Sequence, residues 1–154
     1  MAFAIVRVRG QPDVNRDIEH TMQLLNLTRV NHCVIVPEDD ITKGMLNKAK
    51  DYVTWGEVSQ ETILAMLNAR GRLPGNKELN EEYLQESTEF SSLDELAAAL
   101  AAGEVRLSAM EGIKPVFRLH PPVKGYEGNK RSYRAGGALG YRGEAINELI
   151  ARMI

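Results

Sequence analysis

Residues 2–9 are apolar except for Arg7 and Arg9 and divide into two alternating faces. Ala2, Ala4, Val6 and Val8 fall on one face, and Phe3, Ile5, Arg7 and Arg9 on the other, which is the period of a β-strand. Gly10, Gln11 and Pro12 break the pattern, and Asp13 is placed to cap a helix in which Val14, Ile18, Met22 and Leu25 recur at helical spacing. Residues 33–36 (CVIV) read as a second strand, ended by Pro37 and the acidic turn Glu38-Asp39-Asp40. Met45, Leu46 and Ala49 make 43–50 a short amphipathic helix, and 52–55 (YVTW) reads as a third strand stopped by Gly56. Ser59 caps a further helix with Ile63, Leu64 and Leu67 inward, ending near Gly71. The predicted order is β-α-β-α-β-α within about seventy residues, an α+β pattern whose loop lengths allow a small sheet with helices on one face.

The remainder is less regular. Residues 70–77 (RGRLPGNK) form a turn-rich linker. Ser92 and Glu95 have capping-box spacing ahead of Leu96 and Leu100. Residues 116–119 predict a fourth strand stopped by Pro121-Pro122, and Gly143 opens a last helix with Ile146, Leu149, Ile150 and Met153 on one side. Three regions follow: a core at 1–70, an acidic helical subdomain at 71–112, and a basic arm with a terminal helix at 113–154.

Composition narrows the class. A chain of 154 residues buries about two-thirds of its unfolded surface, enough for one core. Apolar residues at 44% and charged ones at 26% are ordinary for a globular protein. A lone cysteine, Cys33, excludes an internal disulfide. No apolar run reaches the ~20 residues that span a bilayer, and the opening MAFAIVRVRG is too short for a secretory signal. The expectation is a cytoplasmic protein that does not enter a membrane.

Charge changes the picture more. The chain has a net charge of −2, yet between Lys77 and Glu104 there are eight acidic residues (Glu78, Glu81, Glu82, Glu86, Glu89, Asp94, Glu95 and Glu104) and no further lysine or arginine. Residues 113–142 invert the balance, with seven cations (Lys114, Arg118, Lys124, Lys130, Arg131, Arg134 and Arg142) against Glu127. Tyr126, Tyr133, Tyr141 and several glycines are interleaved with them. Cations that meet phosphates, glycines that allow close approach and rings that stack on bases suit a nucleic acid. The glycine content predicts an arm that orders on its partner. The acidic block repels phosphate and is expected to face solvent or another protein's cations.

Catalytic and metal chemistry find little support. His20, His32 and His120 lack helical i, i+4 pairing or a C-x-x-C companion, so no zinc site is expected. His32 and Cys33 are strand neighbours that point to opposite faces, and Cys33 reads as a small buried apolar group. Asp39 and Asp40 read as a turn and helix cap rather than a magnesium site or an acid–base pair. Gly136-Gly137-Ala138-Leu139-Gly140 lacks the lysine-serine ending of a P-loop. Trp55 reads as core.

Residues 31–63, NHCVIVPEDDITKGMLNKAKDYVTWGEVSQETI, together with FRLHPPVKGY at 117–126 and the Gly136-Gly137 ending, resemble the archaeal and eukaryotic large-subunit ribosomal protein L-thirty family in its long archaeal form. The resemblance covers nearly the whole chain and is weakest over 71–112. It implies a β-α-β-α-β core with a small antiparallel three-stranded, ferredoxin-like sheet, helices on one face and a C-terminal subdomain. It implies no enzymatic activity, no cofactor and no small-molecule substrate. The implied partners are large-subunit ribosomal RNA, with five-S RNA nearby, and neighbouring ribosomal proteins. Turn and charge positions nominate the RNA-binding residues Arg9, Arg29, Asn31, His32 and Lys43 in the core, and the resemblance implies that the 29–32 turn and the helix start at Gly44 face RNA. In the C-terminal part the nominated residues are Arg118, His120, Lys124, Tyr126, Lys130, Arg131, Tyr133, Arg134, Tyr141 and Arg142.

Overall fold

The computed structural model describes residues 2–10, 14–73, 77–78, 82, 90, 92–105, 115–126, 128 and 130–154. The expected cap Asp13 and the breakers Gln11 and Pro12 lie outside these, as do the charged positions Lys114, Glu127, Glu81, Glu86 and Glu89.

The first three strands are β1 (Ala2–Arg7), β2 (His32–Pro37) and β3 (Val53–Glu57). β1 lies between the other two and is antiparallel to both. The linker carries a separate small hairpin, β4 (Arg72–Leu73) with β5 (Lys77–Glu78). Two further short strands extend the main sheet: β6 (Phe117–Arg118) runs antiparallel to β2, and β7 (Gly140–Tyr141) runs parallel to β3. The strand order is β6-β2-β1-β3-β7.

Helix α1 (Arg16–Leu24) is capped by the Asn15 side chain, which accepts from the Asp17 N–H at 2.8 Å. Helix α2 (Asp40–Ala49) is capped by Asp39, which accepts from the Thr42 N–H at 2.7 Å. The acidic turn is thus a helix start, as its position after Pro37 predicts. Ser59 caps α3 (Gln60–Arg70) and Ser92 caps α4 (Leu93–Ala102) in the same way. Helix α5 (Ala145–Ala151) follows the turn at Gly143.

The helices occupy both faces of the sheet. Phe3, Ile5, Val34 and Val53 pack with Met22 and Leu25 of the α1 end and Leu46 and Ala49 of α2. Ala2, Ala4, Val6, Cys33 and Ile35 pack with Ile63 and Met66 of α3, Leu96 and Leu100 of α4, and Ile146 and Ile150 of α5. The two helices between the first three strands share a face, as expected. The third helix and the C-terminal ones cover the other, where one-sided packing was expected. The cause is legible in β1: all six of its residues are buried, so both of its apolar faces need a cover. Alanines on the second face leave room for three helices to approach.

Candidate nucleic-acid interface

Strand directions give the sheet two distinct ends. The C-terminal end of β1, the N-terminal ends of β2 and β3, and Arg118 of β6 lie together, because His32 is paired with Arg118 and Arg7 with Val53. This end is basic. At the opposite end, Glu38 follows β2, Glu57 closes β3, and Asp39 and Asp40 start α2.

The turn at the basic end is built from α1 outward. Asn26, at φ 63°, ends the helix in the left-handed conformation. The Leu27 N–H then donates to Met22 O at 2.8 Å and the Asn26 N–H to Gln23 O at 3.0 Å, a Schellman ending. Leu27 is fully buried and anchors the start of the turn. The His32 N–H donates back to Arg29 O at 3.3 Å, closing a tight turn whose third residue, Asn31, has φ 69°. Asparagine tolerates this region better than most residues. Arg29 and Val30 project outward and are exposed.

Arg29, His32, Arg118 and Thr28 line a surface recess of about 420 Å³. Arg29 and Arg118 thus share one recess, although they lie far apart in the chain. The pKa of His32 is lowered, first by burial and then by Arg118, Arg29 and Arg7. Its Nδ1 is buried and meets no hydrogen-bond partner among the described residues. The recess therefore offers two guanidinium charges and an imidazole held toward its neutral form. Such a site suits an anion that accepts several hydrogen bonds, as a phosphate does.

Tyr126 ties the C-terminal part to this turn. Its hydroxyl donates to Asn31 Oδ1 at 2.5 Å, and burial, above all, raises its pKa. Its ring packs with Val8, Ala138 and Leu139. Arg9 lies over the Tyr52 ring, 4.9 Å from its centroid, also at this end. His120 and Lys124 are exposed on a segment held to the chain terminus, where the His120 N–H donates to Met153 O at 2.9 Å and the Val123 N–H to Arg152 O at 3.0 Å.

The expected flexible arm is a closed loop in the structure. The Ala138 N–H donates to Gly128 O, the Leu139 N–H to Arg131 O, and the Tyr133 N–H to Leu139 O at 2.7 Å. Ala138, Leu139 and Arg142 are buried beneath it. Glycine is required at Gly137, where an added Cβ would collide with the Arg131 carbonyl. Lys130, Arg131, Tyr133 and Arg134 sit exposed on the outside of the loop.

Arg142 departs from its expected place on the RNA-facing surface. Its Nε donates to Thr54 Oγ1 at 2.8 Å, a second nitrogen donates to Ala138 O at 2.8 Å, and it lies over the Tyr133 ring at 4.9 Å. It braces the loop from within. Cation count alone cannot separate such a strut from a surface charge. Lys43, Gly44 and Tyr141 are also apart from the recess. Lys43 Nζ pairs with Glu38 at 3.3 Å, and the Tyr141 hydroxyl donates to Glu57 at 2.6 Å, which raises its pKa.

Charge and turn positions do not nominate Arg7, yet it belongs to this end of the sheet. It is 0% exposed and bonds to both ends of the turn. A signal for it exists in the sequence: the alternation puts it on the same face as Phe3 and Ile5, and a cation on an apolar strand face implies a buried partner.

Comparison with known proteins decides the family. The sequence profile described as Ribosomal protein L30p/L7e matches residues 3–53. Over 156 residues the chain is 52% identical to the large ribosomal subunit protein uL30 of Methanococcus maripaludis, covering 100% of both chains. The chain belongs to the uL30 family of ribosomal proteins. The uL30 proteins of Methanosphaera stadtmanae and Thermoplasma volcanium are each 50% identical to it, covering 99% of this chain and 99% and 92% of their own lengths. Membership agrees with the three antiparallel strands and the first two helices, most of which lie within the matched 3–53 segment. It extends to the C-terminal part, because the uL30 relatives align over essentially the whole chain. No helix among the described residues is long and apolar enough to cross a membrane.

Proposed function

We propose that this uL30 chain is a structural constituent of the large subunit of an archaeal-type cytoplasmic ribosome, and that it binds folded ribosomal RNA with the basic end of its sheet. The observation that carries the reading is the convergence of Arg29, His32 and Arg118 around one recess. Two guanidinium groups, one on the turn and one on β6, position phosphates, and exposed polar groups of the turn reach ribose hydroxyls or unstacked bases. Lys130, Arg131 and Arg134 on the neighbouring loop provide a second set of phosphate contacts, with Tyr133 available for stacking. The function is recognition and scaffolding, with no chemical step. The acidic end, with Glu38 and Glu57, repels RNA and faces solvent or basic segments of neighbouring ribosomal proteins. Five-S RNA is a further neighbour under the same reading.

The test is a pair of variants on deproteinised archaeal large-subunit ribosomal RNA. Arg29→Ala with Arg118→Ala is expected to weaken binding by at least about tenfold and to lower the slope of log affinity against log salt by roughly one to two units, at ~1 unit for each phosphate no longer neutralised. Lys43→Ala, away from the recess, is expected to change affinity by less than about threefold, the scale of a surface ion pair. Equal effects of the two sets would sink the assignment of the basic end. Sedimentation of the chain with large subunits after a high-salt wash checks the ribosomal location independently.

A further inference from the structure

The turn that carries Arg29, Asn31 and His32 is held from beneath by one side chain from the central strand. Arg7 donates from one guanidinium nitrogen to Leu27 O at 2.7 Å and from Nε to Arg9 O at 2.9 Å. Its remaining terminal nitrogen pairs with Glu19 of α1 at 3.1 Å. Its own carbonyl accepts from the Asn31 N–H at 2.8 Å. The Arg7 side chain therefore grips the turn where it leaves α1, while the backbone of the same residue holds it where it enters β2. Burying a guanidinium is costly unless its donors are satisfied. Here the planar fork divides them among two carbonyls and a carboxylate on three segments, a division that a lysine ammonium cannot reproduce. A hydrophobic residue would pack at this strand position without such a cost. The buried cation points to a task other than filling the core.

We propose that Arg7 is a positioning residue for RNA binding: it never touches RNA, but it sets the conformation in which the 28–32 turn presents Arg29, Asn31 and His32 beside Arg118. This inference rests on the reading of the basic end as the RNA-binding surface. Its physical basis is preorganisation. A turn already locked in its bound shape loses little conformational freedom on association. A looser turn spreads its cations over many arrangements and matches few phosphates at once.

The experiment compares Arg7→Lys with Arg29→Ala, singly and together, using the full chain and deproteinised large-subunit ribosomal RNA over a salt series. Binding is measured well below each variant's melting temperature. Arg7→Lys is expected to weaken binding by about tenfold, a typical size for the removal of one positioned charge–charge interaction. It should also reduce the salt slope by about one unit, the value of one phosphate interaction. Adding Arg29→Ala to Arg7→Lys should then cost much less than it costs in the natural chain, because Arg29 is already displaced. Wild-type salt slope in Arg7→Lys, with the full Arg29→Ala effect retained in that background, would overturn the inference and leave Arg7 a fold residue. Should Arg7→Lys not fold, Glu19→Gln takes its place. It keeps the guanidinium and its two carbonyl bonds but loosens the ion pair at a partly exposed carboxylate. Amide exchange over 28–32 is then expected to quicken while β1 and β3 keep their protection, and unchanged exchange in the turn would equally overturn the inference. A different result marks failure of the underlying reading: Arg29→Ala and Arg118→Ala would leave binding by the natural chain unaltered, and the role assigned to Arg7 would fall with it.

Discussion

Two side chains at adjacent positions show how strand geometry separates functions. Cys33 faces the helical layer of α3, α4 and α5 and is fully buried, so burial pushes its thiol pKa up to about 12. It stays protonated and inert at neutral pH. Alkylation of Cys33 by iodoacetamide is expected only after unfolding, and Cys33→Ala should cost about 1 kcal/mol with RNA affinity unchanged. Rapid labelling of the folded chain would contradict its placement. His32 faces the recess, and its pKa is lowered by burial and by three arginines. The unfolded chain, with an ordinary histidine pKa near 6.5, binds the proton more readily than the folded one. His32 therefore contributes stability that is present above about pH 6.5 and lost as pH falls toward its lowered folded pKa. Melting temperatures of the natural chain should drop more steeply as pH falls below about 6.5 than those of His32→Gln, and parallel curves would exclude this contribution.

At the scale of elements, close backbone approaches join the C-terminal part to the core. Gly56 in β3 lies against the backbone of Gly143, and a Cβ there would run into the Gly143 carbonyl. The Arg142 N–H donates to Trp55 O at 2.9 Å, and Asn147 donates to Glu57 O at 3.2 Å. The glycine that reads as a strand terminator is thus the site where α5 and its preceding turn dock. Gly56→Ala is expected to destabilise the chain by about 1–3 kcal/mol through overpacking. Chemical denaturation checks this, and a neutral result would mean that the 142–144 turn moves aside freely. The buried Arg142, with Thr54 and Ala138, does for the 128–142 loop what Arg7 does for the turn. In both places an arginine fork spans loop and sheet.

Across the whole molecule, a net charge of −2 is compatible with RNA binding because the two signs are segregated. Arg9, Arg29, Arg118 and the 130–134 loop lie toward one end of the sheet, whereas Glu38, Asp40 and Glu57 lie toward the other. With about six phosphates neutralised, affinity should fall roughly 10³-fold between 50 and 200 mM salt. Replacing Lys130, Arg131 and Arg134 together by alanine should weaken RNA binding strongly and reduce the salt slope by about one unit for each phosphate left unpaired. These side chains are exposed, so the melting of the core should barely change. Changing Glu78, Glu81 and Glu82 to glutamine should leave binding almost unaltered. Isotherms on the same RNA decide between them, and equal or larger losses from the glutamate set would put the acidic region in the interface.

Local chemistry made the first part of the fold legible. Alternation over 2–9, the proline-acid turn after β2 and serines at helix starts specify their elements through interactions between near neighbours, and the structure contains each of them. The turn at 29–32 was likewise legible as a turn, because it stands between two apolar runs. What depended on tertiary structure was which face each helix covers and which cations remain outside. β1 is central because β3 returns to its free edge, and that leaves a second apolar face for the helices after residue 60 to cover. Arg142 and Arg118 look alike in a charge count. One is buried under a loop and the other shares a recess with Arg29, because pairing between distant strands, not local sequence, decides where their side chains meet water.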